Sequence, residues 1–272
     1  MINLLKDFKG KTFVAFVDIS GFKKVLLKNE NKAEKILNSF YSIGYRELKS
    51  FNSNNLPKCY SLNGMFISDC GIIYVNFCKG YRYIEEPSKK KTILKEVLKD
   101  LLLCLKDICR RFWEEQNELL SVGVYYGDFV YQNRLEHENV EKNFIYGQGY
   151  LKAFELCENF AVGGEFICKL NELSNDLLDI IGNVGEYGII IREIENKDIP
   201  KKNFRVYWML EKDDDNKVNE IETYYRELQR LRKEKNNNAN IEKPEIEREI
   251  NEKYDEFKEK IKNLIKKNNS NW

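Results

Sequence analysis

Two aspartates in this 272-residue sequence follow apolar stretches, at positions where a metal ion and phosphates could bind. Phe13–Val17 is an unbroken apolar run, typical of a strand covered on both faces, and Asp18 ends it. Ser20-Gly21 break the chain before a helical segment, so backbone N–H groups from Ser20 to Phe22 could bind phosphate. From this stretch alone, a simple helix N-cap explains Asp18 about as well.

Asp69 decides between these interpretations. Met65–Val75 reads as a β-hairpin with Asp69 at its bend and apolar residues on both sides. An unpaired carboxylate in such surroundings is costly. Asp18 and Asp69 at the ends of neighbouring strands can share one or two divalent cations, which offsets the cost. We therefore predict a metal site at this edge of a sheet.

Composition excludes several function classes. Lys and Arg number 45 against 44 Asp and Glu, so a net charge of +1 gives no basic field for nucleic acid. The only histidine, His137, excludes histidine-based metal sites and Ser-His triads. Seven cysteines without a CxxC pair predict free thiols in a reducing cytoplasm. Apolar runs fall short of the ~20 residues of a membrane span, so we expect a soluble protein with no membrane partner.

Periodicity predicts an α+β domain. Helices are expected over 22–27, 33–48, 92–117 and 147–160, and strands over 59–62, 66–77, 119–126, 129–131, 144–146, 166–168, 187–191 and 204–209. Gly127-Asp128 is predicted to turn the chain, and 132–142 to be a polar loop. With the strand before Asp18, the order β-α-β-β-α-β indicates a ferredoxin-like core with additions. Its second, apolar face is one that a partner subunit could cover.

The composition changes at Glu211, which predicts a catalytic domain over 1–210 and a charged helical extension over 211–272. The extension carries a heptad seam of Ile250, Tyr254, Phe257, Ile261 and Leu264. An antiparallel helical hairpin packed on the domain is favoured, and a dimerising coil is the alternative. Nucleic-acid binding is weakly supported because Glu and Lys are interleaved.

Four stretches, in order, resemble the catalytic domain of class III nucleotidyl cyclases. Phe16–Phe22 is similar to the first metal-binding loop, Phe66–Asp69 to the hairpin with the second metal aspartate, and Gly123–Tyr131 to a strand-turn-strand. Tyr146–Leu156 resembles the helix that faces the partner's active site. The resemblance implies a ferredoxin-like fold and a head-to-tail homodimer. It also implies two Mg²⁺ or Mn²⁺ ions held by Asp18, Asp69 and the Ile19 carbonyl, and phosphate binding at Ser20, Gly21 and Phe22.

Within that class, Ser68-Asp69 and the run Tyr126–Tyr131 look most like the bacterial pyrimidine cyclases of Pycsar antiphage defence. This likeness implies UTP, or less readily CTP, as substrate, and a separate effector activated by the cyclic product. Met65 and Phe144 stand where adenylate cyclases use Lys and Asp to recognise adenine, and neither can report a purine's hydrogen-bonding edge. Tyr60, Ser61 and Asn63 are the candidates for contacting a pyrimidine.

The sequence departs from the family at the transition-state residues. Leu151 and Glu155 occupy the positions of the usual Asn and Arg. Negative charge that develops on the phosphates requires a cation. Lys152 is our candidate catalytic cation, with Arg134, Lys23 and Lys24 as alternatives. A degenerate nucleotide-binding or scaffold protein is therefore the rival hypothesis, as is a purine cyclase.

A further stretch, Gly163-Gly164-Glu165-Phe166, is similar to the GGDEF signature of diguanylate cyclases. It lacks one acidic residue and lies far beyond the hairpin in which that signature is expected. We interpret it as a turn.

Overall fold

A computed structural model of the protein describes residues 7–53, 59–137, 140–170, 188–194, 203–237 and 244–269. The strands are β1 Phe8–Ile19, β2 Tyr60–Ile67, β3 Cys70–Phe77, β4 Leu120–His137, β5 Val140–Tyr146, β6 Phe166–Lys169, β7 Ile191–Glu193 and β8 Asn203–Val206. The helices are α1 Phe22–Lys28, α2 Glu30–Ser53, α3 Lys79–Arg82, α4 Pro87–Gln116, α5 Gln148–Glu155, α6 Asp215–Asn237 and α7 Pro244–Asn269.

One mixed sheet organises the chain, with the order β2-β3-β1-β4-β6-β8-β7 and β5 paired to the far part of β4. The first four strands in that order are those of a ferredoxin-like core. β1 is antiparallel to both β3 and β4, and β4 is parallel to β6. The α+β prediction and its β-α-β-β-α-β core are confirmed.

Helices α2 and α4 cover one face of the sheet. Phe40 of α2 contacts both Phe66 and Phe112, with ring centroids 5.1 and 5.7 Å apart. Gly44, within the helix predicted over 33–48, lies inside a continuous α2. A Cβ at Gly44 would come within 2.1 Å of the Phe66 ring, so the glycine permits this close packing.

The other face carries a second apolar cluster that includes Phe16, Tyr74, Phe129 and Tyr131. Helix α5 covers part of it, and Phe154 packs edge-on against Phe16 with centroids 5.1 Å apart. The apolar second face predicted from the sequence is therefore present, with part of it covered from within the chain.

The largest differences from prediction lie in β4. The chain does not turn at Gly127-Asp128, and residues predicted as a polar loop instead extend β4 to His137 and begin β5 at Val140. A Cβ at Gly127 would lie 3.2 Å from the Gly149 backbone nitrogen, so this glycine allows α5 to begin close to a continuous strand. Of the strand predicted over 187–191, residue 187 lies outside the described residues, and the observed strand begins at Ile191.

Helices α6 and α7 form a hairpin that packs on the sheet and shares its core. Tyr224 of α6 stacks on Phe257 of α7 with centroids 3.7 Å apart, and Tyr225, Phe257 and Ile261 are fully buried. The helical extension is thus confirmed, whereas the boundary at residue 210 stays a prediction. Across the described ranges, no helix is long and apolar enough to cross a membrane.

Candidate active site

Asp18 and Asp69 lie at the ends of adjacent strands. In the β1–β3 register Asp18 is opposite Cys70, and the Ile19 backbone N–H donates to the Asp69 carbonyl across 3.0 Å. Ser68 adopts a left-handed conformation (φ 54°) at the hairpin bend, and its hydroxyl donates to the Asp69 carboxylate at 3.0 Å. The hairpin geometry therefore brings the two predicted metal aspartates to one edge.

The surroundings of Asp18 are anionic. Burial, together with the nearby carboxylates of Glu158 and Asp69, raises the pKa of Asp18 to about 8. Glu158 lies in a π-helical turn, Leu156–Phe160, and sequence reasoning did not select it. An uncompensated carboxylate pair of this kind fits a hard divalent cation. Within the described parts of the chain, no group of three or more His, Cys, Asp or Glu side chains could hold a metal ion, so a metal at Asp18 and Asp69 would need phosphate, water or backbone oxygens as further ligands.

The turn after β1 holds the predicted phosphate-binding residues. Gly21 has a left-handed φ of 76° and precedes α1, whereas the Ser20 backbone N–H already donates to the Leu119 carbonyl at 2.9 Å. This corrects the expectation that the Ser20 amide binds phosphate. The Ser20 hydroxyl lies 2.8 Å from that of Ser121, and these hydroxyls remain candidates. The Phe22 side chain is buried in the core, which leaves its backbone N–H as the group available to a phosphate.

A cavity of about 300 Å³ opens beside Asp18 and the Ser20-Gly21 turn. The opposite wall comes from the C-terminal hairpin, which sequence reasoning left outside the site. The walls are formed by Asp18, Ser20, Gly21, Ser121, Cys157, Glu158, Ala161, Val162, Gly163, Leu228, Arg232, Lys235, Asn236, Ile250 and Tyr254. Tyr254 belonged to the predicted heptad seam, and that pattern was the signal that could have located this wall.

Arg232 and Tyr254 join the hairpin to the site. The Arg232 guanidinium donates to the Ala161 carbonyl at 2.9 Å and to the Glu158 carbonyl. Burial raises the pKa of Tyr254 to about 12, although its hydrogen bonds to Ser20 and Gly163 act in the opposite direction. Both side chains are thus fixed by the elements that carry Asp18 and Glu158.

The predicted cations lie elsewhere. Lys152 pairs with Glu155 at 2.7 Å on α5 and does not line the cavity. Lys24 donates to Asn251 of α7 at 2.8 Å, and Lys23 is exposed. The side chain of Arg134 is outside the described residues. Within one chain, the structure therefore does not bring Lys152 to Asp18.

Tyr60 is removed from the residues that could contact a base. Side chains alternate along β2, so Ser61, Asn63 and Met65 lie on one face while Tyr60 and Phe66 lie on the helical face. The Tyr60 hydroxyl donates to Asp100 of α4, and burial and this carboxylate raise the pKa of Tyr60. This corrects the expectation that Tyr60 acts together with Ser61 and Asn63.

Met65 and Phe144 also lie apart. Ile145 pairs with Tyr131, which shares the second apolar cluster with Met65. Phe144 is the next residue and projects to the opposite side, where it is 42% exposed and packs 4.8 Å from the Tyr146 ring. A single chain therefore does not form one base pocket from these two residues.

Comparison with solved structures finds adenylyl and guanylyl cyclases. The adenylyl cyclase CyaB from P. aeruginosa is 18% identical, with 74% of this chain and 96% of that chain covered and a TM-score of 0.47. The guanylyl cyclase Cya2 is 14% identical over 74% and 92%, with a TM-score of 0.44. The guanylate cyclase domain of RhGC from Catenaria anguillulae, in complex with GTP, is 12% identical over 74% and 98%, with a TM-score of 0.47. No protein-family model matches the sequence, and no curated protein matches it.

Proposed function

We propose that this protein is a metal-dependent nucleotidyl cyclase that converts a nucleoside triphosphate into its 3′,5′-cyclic monophosphate and pyrophosphate. The observation that carries the proposal is the pair of Asp18 and Asp69 at adjacent strand ends, tied by the Ile19–Asp69 backbone bond, with Asp18 lining the cavity. Asp18 is half-buried near two other carboxylates, and a bound cation would offset the cost of charging them together.

Asp18 and Asp69 would hold one or two Mg²⁺ or Mn²⁺ ions, with the Ile19 carbonyl as a further oxygen ligand. Bound there, the metal would lower the pKa of the ribose 3′-hydroxyl and offset the charge of the phosphates. The 3′-hydroxyl gives its proton to water, its oxygen forms a bond to the α-phosphorus, and the bond from that phosphorus to the oxygen that bridges to the β-phosphorus breaks, so pyrophosphate leaves. The Gly21 and Phe22 amides and the Ser20 and Ser121 hydroxyls contribute donors to the phosphate oxygens.

We propose a pyrimidine substrate, UTP before CTP. The support is the residue type at Met65, which cannot read a purine's polar edge, and the polar pair Ser61 and Asn63 on the same face of β2. Asn63 is paired with Tyr74 in the β2–β3 register, and Tyr74 belongs to the same apolar cluster as Met65, so Asn63 lies on the face that carries this cluster. In this proposal, the cyclic pyrimidine nucleotide acts as a second messenger of antiphage defence and activates a separate effector.

The screen for this activity is incubation of the whole protein with each of the four nucleoside triphosphates plus Mn²⁺, with products identified by mass. We expect cyclic UMP or cyclic CMP, with ATP and GTP turned over at least roughly tenfold more slowly, about 1.4 kcal/mol in the barrier. Asn63→Ala should narrow that gap, whereas Tyr60→Phe should leave it unchanged. Cyclic AMP or cyclic GMP as the main product contradicts the pyrimidine assignment. No cyclic product with Mg²⁺ or Mn²⁺ contradicts the cyclase proposal.

We further propose a head-to-tail homodimer in which α5 faces the partner's metal site. Leu151 and Phe154 support this because they expose 49% and 36% of their surfaces on α5 beside the second apolar cluster. Leu151→Glu should shift the protein toward monomer and lower its specific activity, as measured by sedimentation and product formation. The control is Leu27→Glu on α1, where the leucine is 77% exposed. A fully active monomer would contradict the composite site.

The second candidate is a nucleotide-binding protein without catalysis. The observation that favours it is the Lys152–Glu155 ion pair. Glu155 stands where the family has its transition-state arginine, and here it neutralises the neighbouring Lys152, the candidate cation of α5. Equilibrium binding of UTP with Mn²⁺, together with an absence of product from all four triphosphates, would favour this candidate.

A further inference from the structure

The cavity beside Asp18 combines two kinds of wall. Asp18 and Glu158 lie on the sheet side, whereas Arg232 and Lys235 come from α6. We propose that this cavity binds the polyphosphate chain of a nucleotide, and that Arg232 is the cation that contacts the phosphates directly. The inference rests on the proposed function and assigns the C-terminal hairpin to the substrate-binding site.

Arg232 is held in a defined position. Two of its N–H groups donate to the carbonyls of Glu158, within the π-helical turn, and Ala161, directly after it. A guanidinium has five N–H donors, so these bonds orient the group and leave capacity for phosphate oxygens. Burial raises the pKa of Cys157 and of Tyr254, which both line the cavity, and the nearby charge of Arg232 opposes that rise at each.

The hairpin that carries Arg232 is fixed on the sheet by polar contacts. Glu118 accepts from Lys258 of α7 at 2.6 Å and from Lys32 of α2 at 3.1 Å. The Tyr254 ring packs on Gly163, where a Cβ would come within 2.6 Å of it. Because α7 braces α6, Arg232 is held opposite Asp18 rather than on a free arm.

The chemistry of the cavity favours a phosphate chain over other anions. Asp18 would hold a metal that offers positive charge to phosphate oxygens from one side, and the planar guanidinium of Arg232 can bind them in bidentate fashion from the other. The family's arginine position holds Glu155, so a cation is required from elsewhere. Lys235 is exposed and pairs with Glu247 at 2.6 Å, which makes it a secondary contact at the rim.

The test is calorimetric titration of the full chain with inorganic tripolyphosphate and Mg²⁺. Arg232→Gln should weaken binding at least tenfold. Arg232→Lys keeps the positive charge but loses the bidentate guanidinium, so it should weaken binding about threefold or more. The matched control is Arg226→Gln, because Arg226 is exposed on the same helix and does not line the cavity. It should bind within twofold of the unmodified protein.

Thermal unfolding establishes whether each variant is folded. If Arg232→Gln does not fold, the tripolyphosphate affinity of Arg232→Lys tests the proposal instead. The proposal is overturned if the unmodified protein does not bind tripolyphosphate. It is also overturned if a folded Arg232 variant binds as tightly as the unmodified protein.

Kinetics separate this inference from the proposed function. If cyclic product forms and Arg232→Gln leaves kcat and KM unchanged, the inference fails and the cyclase proposal stands. If tripolyphosphate binding depends on Arg232 but no triphosphate is cyclised, the cyclase proposal fails and the anion site stands.

Discussion

Glu165, directly before β6, forms a buried ion pair with Arg205 of β8, and their side-chain exposures are 0% and 2%. Arg205 also pairs with Glu222 of α6, and its guanidinium lies 4.9 Å from the centre of the Tyr225 ring. Glu165→Gln removes one of the two carboxylates that pair with the buried Arg205 and leaves Glu222 in place. It should therefore lower the free energy of unfolding by roughly 1.5–3 kcal/mol in urea denaturation.

The control for that prediction is Glu115→Gln. Glu115 pairs with Arg46 at 3.1 Å, but both side chains are largely exposed, so we expect a loss of ~1 kcal/mol or less. Equal losses from the two variants would show that the buried pair has no special importance for stability.

Asp18→Asn should abolish cyclase activity without lowering the thermal unfolding temperature in metal-free buffer. The neutral amide removes repulsion from Glu158 and Asp69, so an increase in stability of roughly 1–2 kcal/mol is expected. Mn²⁺ should raise the unfolding temperature of the unmodified protein and not that of the variant.

Asp128→Asn serves as the matched control for Asp18→Asn, because Asp128 is exposed on β4. It should keep both activity and the Mn²⁺ response. Full activity in Asp18→Asn would remove the metal assignment. A marked loss of stability with normal turnover would instead support a helix-capping role for Asp18.

Gly163 and Tyr254 should be energetically coupled. A Cβ at Gly163 would lie 2.6 Å from the Tyr254 ring, so Gly163→Ala should lower the free energy of unfolding by ~1–3 kcal/mol. In a Tyr254→Ala background the same change should cost at least about 0.5 kcal/mol less. Gly80→Ala is the control, since the nearest atom to its added Cβ is 3.6 Å away. Additive effects in the double variant would contradict the observed packing of α7.

Lys106 should give stability an alkaline dependence. Its amino group donates to the carbonyls of Gly188 and Leu210, at 2.5 and 3.1 Å, and burial, with Arg110 nearby, lowers its pKa to about 8. Above pH 8 the unfolded chain binds more protons at this lysine than the folded chain, so its unfavourable contribution diminishes as pH rises.

The measurement compares unfolding of the unmodified protein and Lys106→Met between pH 8 and 9.5. The unmodified protein should gain about 1–2 kcal/mol relative to the variant over this range. Parallel pH profiles would show that Lys106 does not titrate as its burial indicates.

The sequence predicted the carboxylate pair because each aspartate ends an apolar run, and a strand end is a local property. The error at Tyr60 arose within one strand. Alternation of side chains along β2 already places Tyr60 on the other face of the sheet from Ser61 and Asn63. Its contact with Asp100 could not be predicted because it depends on how α4 packs. Glu158 and Arg232 could not be selected because no local pattern relates them to Asp18. Glu165, which we interpreted as part of a turn, does follow the left-handed Gly164. Its carboxylate also accepts from Arg205 of β8, which in turn pairs with Glu222 of α6.

The bond between Lys24 and Asn251 joins residues 227 positions apart in the chain. A ribosome releases β1 and its aspartate early, but the wall that holds Arg232 is braced only after α7 has emerged. A nascent chain can thus acquire its carboxylates long before its phosphate cavity. Contacts of such sequence separation require the closure of a long loop, so we expect the wall that holds Arg232 to form only once α7 is in place.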